Sequence, residues 1–409
     1  MHRPFRSATL LAGWLFLASG ALPAAGATDP SPAAGRAGYA MGDFARVRKI
    51  DAHVHANTMQ SAFLRQARAD GFELVSINVD YPDFPAIDIQ RRTAEALARR
   101  DPARFHWAAT FSMHGFPSAA WLERMQAQLA RDVAAGAVAV KVWKNVGMVE
   151  IDPDGHRVML DDPRLAPLAA QVQALGVPLI DHQGEPYNCW LPLEQMTTDN
   201  DREYFRLHPQ YHMYLHPDEP GYEQLMAVRD RFVQAHPGLR FVGAHMASLE
   251  YDVDRLGAFL DRFPDAVVDL AARMTQVQYQ SLRNRGKVRD FFIRYQDRLL
   301  YGSDLTQEPG ADPAAFRRDA HAFWTSDWRY LATAETQHVD ALHADVPGLD
   351  LPRAVIDKLY HDNAARTFGL DGAPRQAAAS GQQQLEPHFL AGLADVLGSA
   401  GVGDQGVEP

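Results

Sequence analysis

A chain of 409 residues, 46% hydrophobic and 22% charged, can bury a large core, as one barrel-sized domain or as two ordinary ones. Its formal net charge of −11 argues against a nucleic-acid partner, because phosphate binding needs basic patches. A single cysteine, Cys189, excludes an intramolecular disulfide and a thiolate zinc cluster.

At the N-terminus, Arg3 and Arg6 flank the start of an apolar stretch from Ala8 to Leu22, and Ala25-Gly26-Ala27 follows as a small-x-small site. This pattern predicts a signal peptide over residues 1–27 and a periplasmic or secreted enzyme. The apolar run is shorter than the ~20 residues that a bilayer span requires, so no stable membrane insertion is expected after cleavage. Residues 28–46, rich in Ala, Gly, Pro and Ser, read as a linker. Residues 371–409, rich in Ala, Gly and Gln, read as a low-complexity tail.

Between them, over 47–370, short apolar runs alternate with amphipathic stretches. Eight strands are predicted: Lys49–Ala56, Glu73–Asp80, His106–Ser112, Ala137–Trp143, Val177–His182, Arg240–His245, Ala266–Ala271 and Leu299–Ser303. Helical patterns lie between them at Gln60–Ala69, Asp88–Arg100, Trp121–Ala135, Pro163–Leu175, Tyr222–His236, Val253–Phe263 and Gln276–Gln296, and Pro352–Phe368 closes the series. This rhythm predicts an α/β fold, a (β/α)₈ TIM barrel with parallel strands buried on both faces. An open doubly wound sheet should carry a glycine-rich phosphate turn after the first strand, and none occurs. Two connections are long and aromatic-rich, Gln183–Gly221 after strand five and Leu305–Leu351 after strand eight. Such loops on the C-terminal face of a barrel are expected to shape a substrate pocket.

The first strand carries Asp51-Ala52-His53-Val54-His55. Residues two apart share a strand face, so His53 and His55 can chelate one ion. His182, His245 and Asp304 stand at the predicted C-terminal ends of strands five, six and eight. In a closed barrel those ends meet at one mouth, where barrel active sites lie. Lys141 sits inside the apolar run Ala137–Trp143, and an unpaired ammonium is costly to bury, so it should reach the mouth or a partner. Arg273, just past strand seven, is a second candidate anion-holder, and Glu185 follows His182 closely enough to touch the site.

His53-x-His55 with His182, His245 and Asp304 resembles the amidohydrolase superfamily of metal-dependent hydrolases. The closing segment Ile356-Asp357-Lys358-Leu359-Tyr360-His361-Asp362-Asn363-Ala364-Ala365-Arg366 is similar to the terminal signature of the branch that includes aminocarboxymuconate-semialdehyde decarboxylase. The resemblance implies a divalent metal, zinc by ligand type, held by His53, His55, His182 and Asp304. It makes Asp304 and His245 the catalytic acid/base groups. It also leaves open a second ion, should Lys141 be carboxylated, and a homodimer. Two reactions fit the same site. One is hydrolysis of a small amide, lactone or ester by metal-activated water, which an exported enzyme favours. The other is non-oxidative decarboxylation of an aromatic or enoic acid. A third reading, an inert barrel that only binds a small molecule, conflicts with the complete ligand set. No Gly-x-Ser-x-Gly elbow supports a serine hydrolase.

Overall fold

A computed structural model describes residues 38–371. The expected signal peptide, the first part of the expected linker and the tail from residue 372 onward lie outside the described residues. The strands are β1 Lys49–Ala56, β2 Phe72–Ile77, β3 Phe105–Thr110, β4 Ala139–Val142, β5 Leu179–Asp181, β6 Phe241–Gly243, β7 Val267–Asp269, β8 Leu299–Leu300 and β9 Leu305–Gln307. They pair in parallel in the order β8-β7-β6-β5-β4-β3-β2-β1-β9. β9 continues the chain of β8, and the segment between them is bonded to β1: Ala52 N donates to Tyr301 O at 2.9 Å and Asp304 N to His53 O at 2.8 Å. The first and last strands therefore meet, and the sheet closes into the (β/α)₈ barrel.

Helices follow the strands and cover them. Ser118 caps Ala119–Ala134 by accepting from Trp121 N, and Asp252 caps Val253–Arg262 by accepting from Asp254 N. The apolar side chains sort into two layers. Ile50, Ala52, Val75, Ile77, Ala108, Ala139, Ile180, Val242 and Leu300 fill the barrel, with Ala364, Ala365 and Phe368 packed into the same cluster. Leu74, Trp107, Val140, Leu179, Phe241, Val268 and Tyr301 pack outward against the helices. Outside an irregularity in β1, period-two alternation is thus kept on both faces of a fully buried sheet. The terminal signature has a structural task here. Asn363 Nδ2 donates to the carbonyls of Gln296 and Leu299 at 2.7 and 2.8 Å, which ties the closing helix to the start of β8. Within that helix a wide π turn at Lys358–Asp362 turns the Leu359 carbonyl to accept from Tyr301 N at 2.9 Å.

Two expectations are corrected. The linker reading fails for residues 38–46. Phe44 is buried against the rings of Phe72 and Trp328, and Tyr39 donates its hydroxyl to Asp357 at 2.7 Å. The connection after strand eight is largely regular structure: β9, a helix Pro313–Ala332, and an antiparallel hairpin of β10 Thr336–Val339 and β11 Ala344–Pro347. Phe316, Ala320, Trp324 and Trp328 recur four apart and form the helix's buried stripe. Its aromatics pack on Phe63 and Phe72 instead of lining a pocket. Asp312 caps this helix by accepting from Ala315 N at 2.6 Å, with Pro313 in its first turn.

Candidate metal centre

An irregularity in β1 aims the two histidines. β1 pairs with β2 residue for residue from Lys49 to Asp51, then slips so that Val54 faces Ser76. Ile50 and Ala52 belong to the barrel interior, whereas Val54 belongs to the outer layer. One extra residue reverses the alternation, as a β-bulge does, and turns His53 and His55 inward. Room for His53 comes from the adjoining segment after β8, since a Cβ at Gly302 would stand 3.0 Å from His53 Cβ.

Donor atoms of His53, His55 and Asp304 lie within 4.8 Å of one another. Asp304 Oδ1 is 3.4 Å from His53 Nε2 and 3.2 Å from His55 Nε2. Both rings are fixed from behind. His53 Nδ1 meets Asp269 Oδ2 at 2.9 Å, and His55 Nδ1 donates to the Ile77 carbonyl at 2.7 Å. Each therefore carries its proton on Nδ1 and presents the Nε2 lone pair to the centre, the arrangement that metal-bound histidines need. His182 adjoins this group, its ring 4.1 Å from that of His245, which in turn stands 4.8 Å from the His53 ring. His182 Nε2 is buried without a hydrogen-bond partner among the described residues. His245 Nδ1 donates to the Ala271 carbonyl at 2.9 Å, so its Nε2 is the free nitrogen.

Burial, reinforced by the neighbouring cations and histidines, pushes His182 and His245 well below the usual imidazole range; both are neutral. Burial acts against ionisation of Asp304. Its contact with His55, and the fields of His53, His55 and Arg273, outweigh it and hold the carboxyl far below its ordinary value. Neutral imidazoles with open nitrogens beside a firmly ionised carboxylate form the donor set that a divalent ion takes. The residues fit the group the sequence implies.

Lys141 shares the inward face with Ala139 and is 1% exposed, with no partner for Nζ among the described residues. Burial pulls its ammonium down to about 8, against the fields of Asp269, Asp304 and Asp181. Arg273 is also buried; Nη1 donates to Ala272 O at 3.1 Å and Nε has no partner among the described residues. Glu185, expected to touch the site, is instead engaged in an ion pair with Lys144, which satisfies its charge. Glu250 is a buried carboxyl beyond β6. Its Oε1 accepts from Tyr187 N at 2.7 Å, and burial, partly offset by Arg273, raises it to about 7. Phe84 stands edge-on to the His55 ring at 5.1 Å, with Tyr81 and Trp143 continuing an aromatic wall.

Two carboxylates escape the sequence reading. Asp269 holds His53, and its Oδ1 also accepts from His245 N at 2.7 Å and Ala271 N at 3.1 Å. Asp51 accepts from Ser303 N at 2.9 Å and from Trp324 Nε1 at 2.8 Å, binding β1 to the last strand. Asp269 ends the apolar run of β7 as the ligands end theirs, and that position is the signal that could have found it.

The family model described as amidohydrolase matches residues 14–370. No curated protein matches the chain. Among solved structures, 2,6-dihydroxybenzoate decarboxylase from Rhizobium is similar at 19% identity and a TM-score of 0.47, over 80% of this chain and 100% of that one. A probable 2-pyrone-4,6-dicarboxylic acid hydrolase from Acinetobacter baumannii is similar at 12% identity and a TM-score of 0.44, over 79% of this chain and 99% of the other. The 5-carboxyvanillate decarboxylase from Sphingomonas paucimobilis follows at 13% and 0.42, with 79% and 99% covered.

Proposed function

The chain belongs to the amidohydrolase family, metal-dependent hydrolases and decarboxylases, and on that premise we propose that it hydrolyses a small amide, lactone or ester that carries an anionic group. The observation that supports this reading is the convergence of His53, His55 and Asp304 beside the open nitrogens of His182 and His245. Bound there, a divalent ion, zinc by the donor chemistry, supplies Lewis acidity to a carbonyl oxygen and to water. His53, His55, His182 and Asp304 are its holders. Asp304 takes the proton of the attacking water at its carboxylate. His245 Nε2, unprotonated in the resting site, receives that proton and passes it to the leaving nitrogen or oxygen as its bond to the carbonyl carbon breaks. Lys141 and Arg273 hold the substrate's anionic group, which would give their unpartnered buried charges a counter-ion.

Those same two cations favour a second reading, non-oxidative decarboxylation of a carboxylate seated between them. Zinc-replete protein offered a panel of lactones, amides, esters and small aromatic and enoic acids decides between the readings. Hydrolysed fragments with proton uptake or release support the first, and carbon dioxide with a protonated carbon product supports the second. Full turnover after exhaustive chelation would refute both.

A further inference from the structure

β6 leaves the barrel through a turn of the rare hand. His245, Met246, Ala247 and Ser248 have φ of 56°, 58°, 52° and 57°, and none is glycine. Residues with a Cβ enter the left-handed region singly and at a cost, so a run of this length must be held by its surroundings. The holders come largely from one helix outside the barrel, Tyr222–Ala235. Arg229, 2% exposed, donates from Nη1 to the Ala247 carbonyl. Its guanidinium lies 4.3 Å over the Phe259 ring, and Nε and Nη2 donate to Asp230 Oδ1. The Tyr222 hydroxyl donates to the Ser248 carbonyl. From the turn itself, Ser248 Oγ donates to the Gln183 carbonyl at 2.7 Å, one residue past His182. The turn folds back so closely that a Cβ on Gly243 would stand 2.6 Å from Ala247 Cβ.

We propose that Arg229 and Tyr222 are positioning residues: they hold the left-handed turn against its own strain and so fix where the His245 imidazole faces the site. Both act through backbone carbonyls inside the turn. A substitution there leaves His245's own bonds to Asp269 and Ala271 chemically intact while removing what keeps the backbone in register with them. The consequence for turnover rests on the reading of His245 as the proton-transfer group, and the placement of its ring is tested separately.

The test uses the full-length, zinc-loaded protein with ¹⁵N-labelled histidine rings, the His245 signals being identified by their loss in His245→Asn. Arg229→Met should displace or broaden those signals. With the best substrate of the panel it should lower kcat ~10- to 100-fold, the cost of a misplaced group, with KM changed far less. The decisive variant adds Ala247→Gly. Glycine takes positive φ freely, so the pair Arg229→Met/Ala247→Gly should recover the ring signals and most of kcat. If Arg229 merely filled the core, removing the Ala247 methyl would add a void and rescue nothing. Should Arg229→Met fail to fold, Tyr222→Phe with the same glycine partner asks the question through the loss of one hydroxyl. Unchanged His245 signals in a folded Arg229→Met or Tyr222→Phe, or no recovery with Ala247→Gly, overturns the proposal. Displaced signals with unaltered turnover uphold the positioning role and instead remove His245 from the reaction.

Discussion

Replacing Asp269 by Asn tests the centre through one atom. The carboxylate accepts three hydrogen bonds, from His245 N and Ala271 N at Oδ1 and from His53 Nδ1 at Oδ2. An Asn at 269 can keep Oδ1 toward the two backbone donors. Its Nδ2 then faces His53 Nδ1, donor against donor. His53 can restore a hydrogen bond only by moving its proton to Nε2, which removes the lone pair that would bind the ion. Losing such an outer partner typically weakens metal affinity ~10- to 100-fold, equivalent to about 1.4–2.7 kcal/mol of binding. The fold should change little, because the backbone bonds survive. The assay is a competition titration of the metal-free protein with zinc against a chromophoric chelator, beside thermal unfolding without metal. Affinity within threefold of wild type would refute the claim that Asp269 sets the His53 tautomer. So would an affinity loss matched by collapse of the metal-free fold.

Three further outcomes follow from the same geometry. His245→Ala should lower kcat by ~10²-fold or more while zinc content holds, the size of losing a general acid/base; matched loss of one ion in His245→Ala and Lys141→Ala would instead reveal a second metal on a carboxylated lysine. Asp327 is buried beneath the Tyr301 hydroxyl at 2.9 Å, and burial raises its carboxyl to about 7. The folded state therefore keeps a proton that the unfolded chain sheds near pH 4, and stability falls as pH rises from about 4 to 7. Asp327→Asn should lose this dependence, so that denaturant unfolding at pH 5 and pH 8 differs less in the variant than in wild type, by a few kcal/mol at most. Gly243→Ala places a methyl 2.6 Å from Ala247 Cβ and should cost ~1–3 kcal/mol, with Ala247→Gly in the same chain recovering much of it.

The barrel is legible in the sequence because its strands are buried on both faces and their apolar runs are short and continuous. β1 coincides with its predicted span, Lys49–Ala56. The later strands end earlier than their apolar runs suggest. Paired residues stop at Asp181 and Gly243, with His182 and His245 just beyond, and Asp304 lies in the break between β8 and β9. Side chains that must converge on one point cannot all sit in regular register, and composition carries no mark of that departure. The bulge in β1 and the left-handed turn after β6 are equally silent, since neither contains a glycine to announce it. Residue type did announce His53, His55 and Asp304, because clustered imidazoles with a carboxylate have few other uses at strand ends. Glu185 stands out only by its nearness to His182 along the chain, and in the fold its carboxylate pairs with Lys144. The helix Pro313–Ala332 is hidden by its own aromatics, which suggest a pocket until their spacing of four is counted.

The seam where β1 meets the last strand also sets a timetable. His55 and Asp304 are 249 residues apart in the chain, yet their side chains touch. At ~5–20 residues per second, the two histidines emerge from the ribosome roughly 12–50 s before their carboxylate partner exists. During that interval no truncated barrel can hold the ion with its full ligand set. Assembly of that ligand set is thus a late event that reports completion of the whole ring. A nascent chain stalled before residue 304 should hold a divalent ion more weakly than the complete chain does, however long it waits.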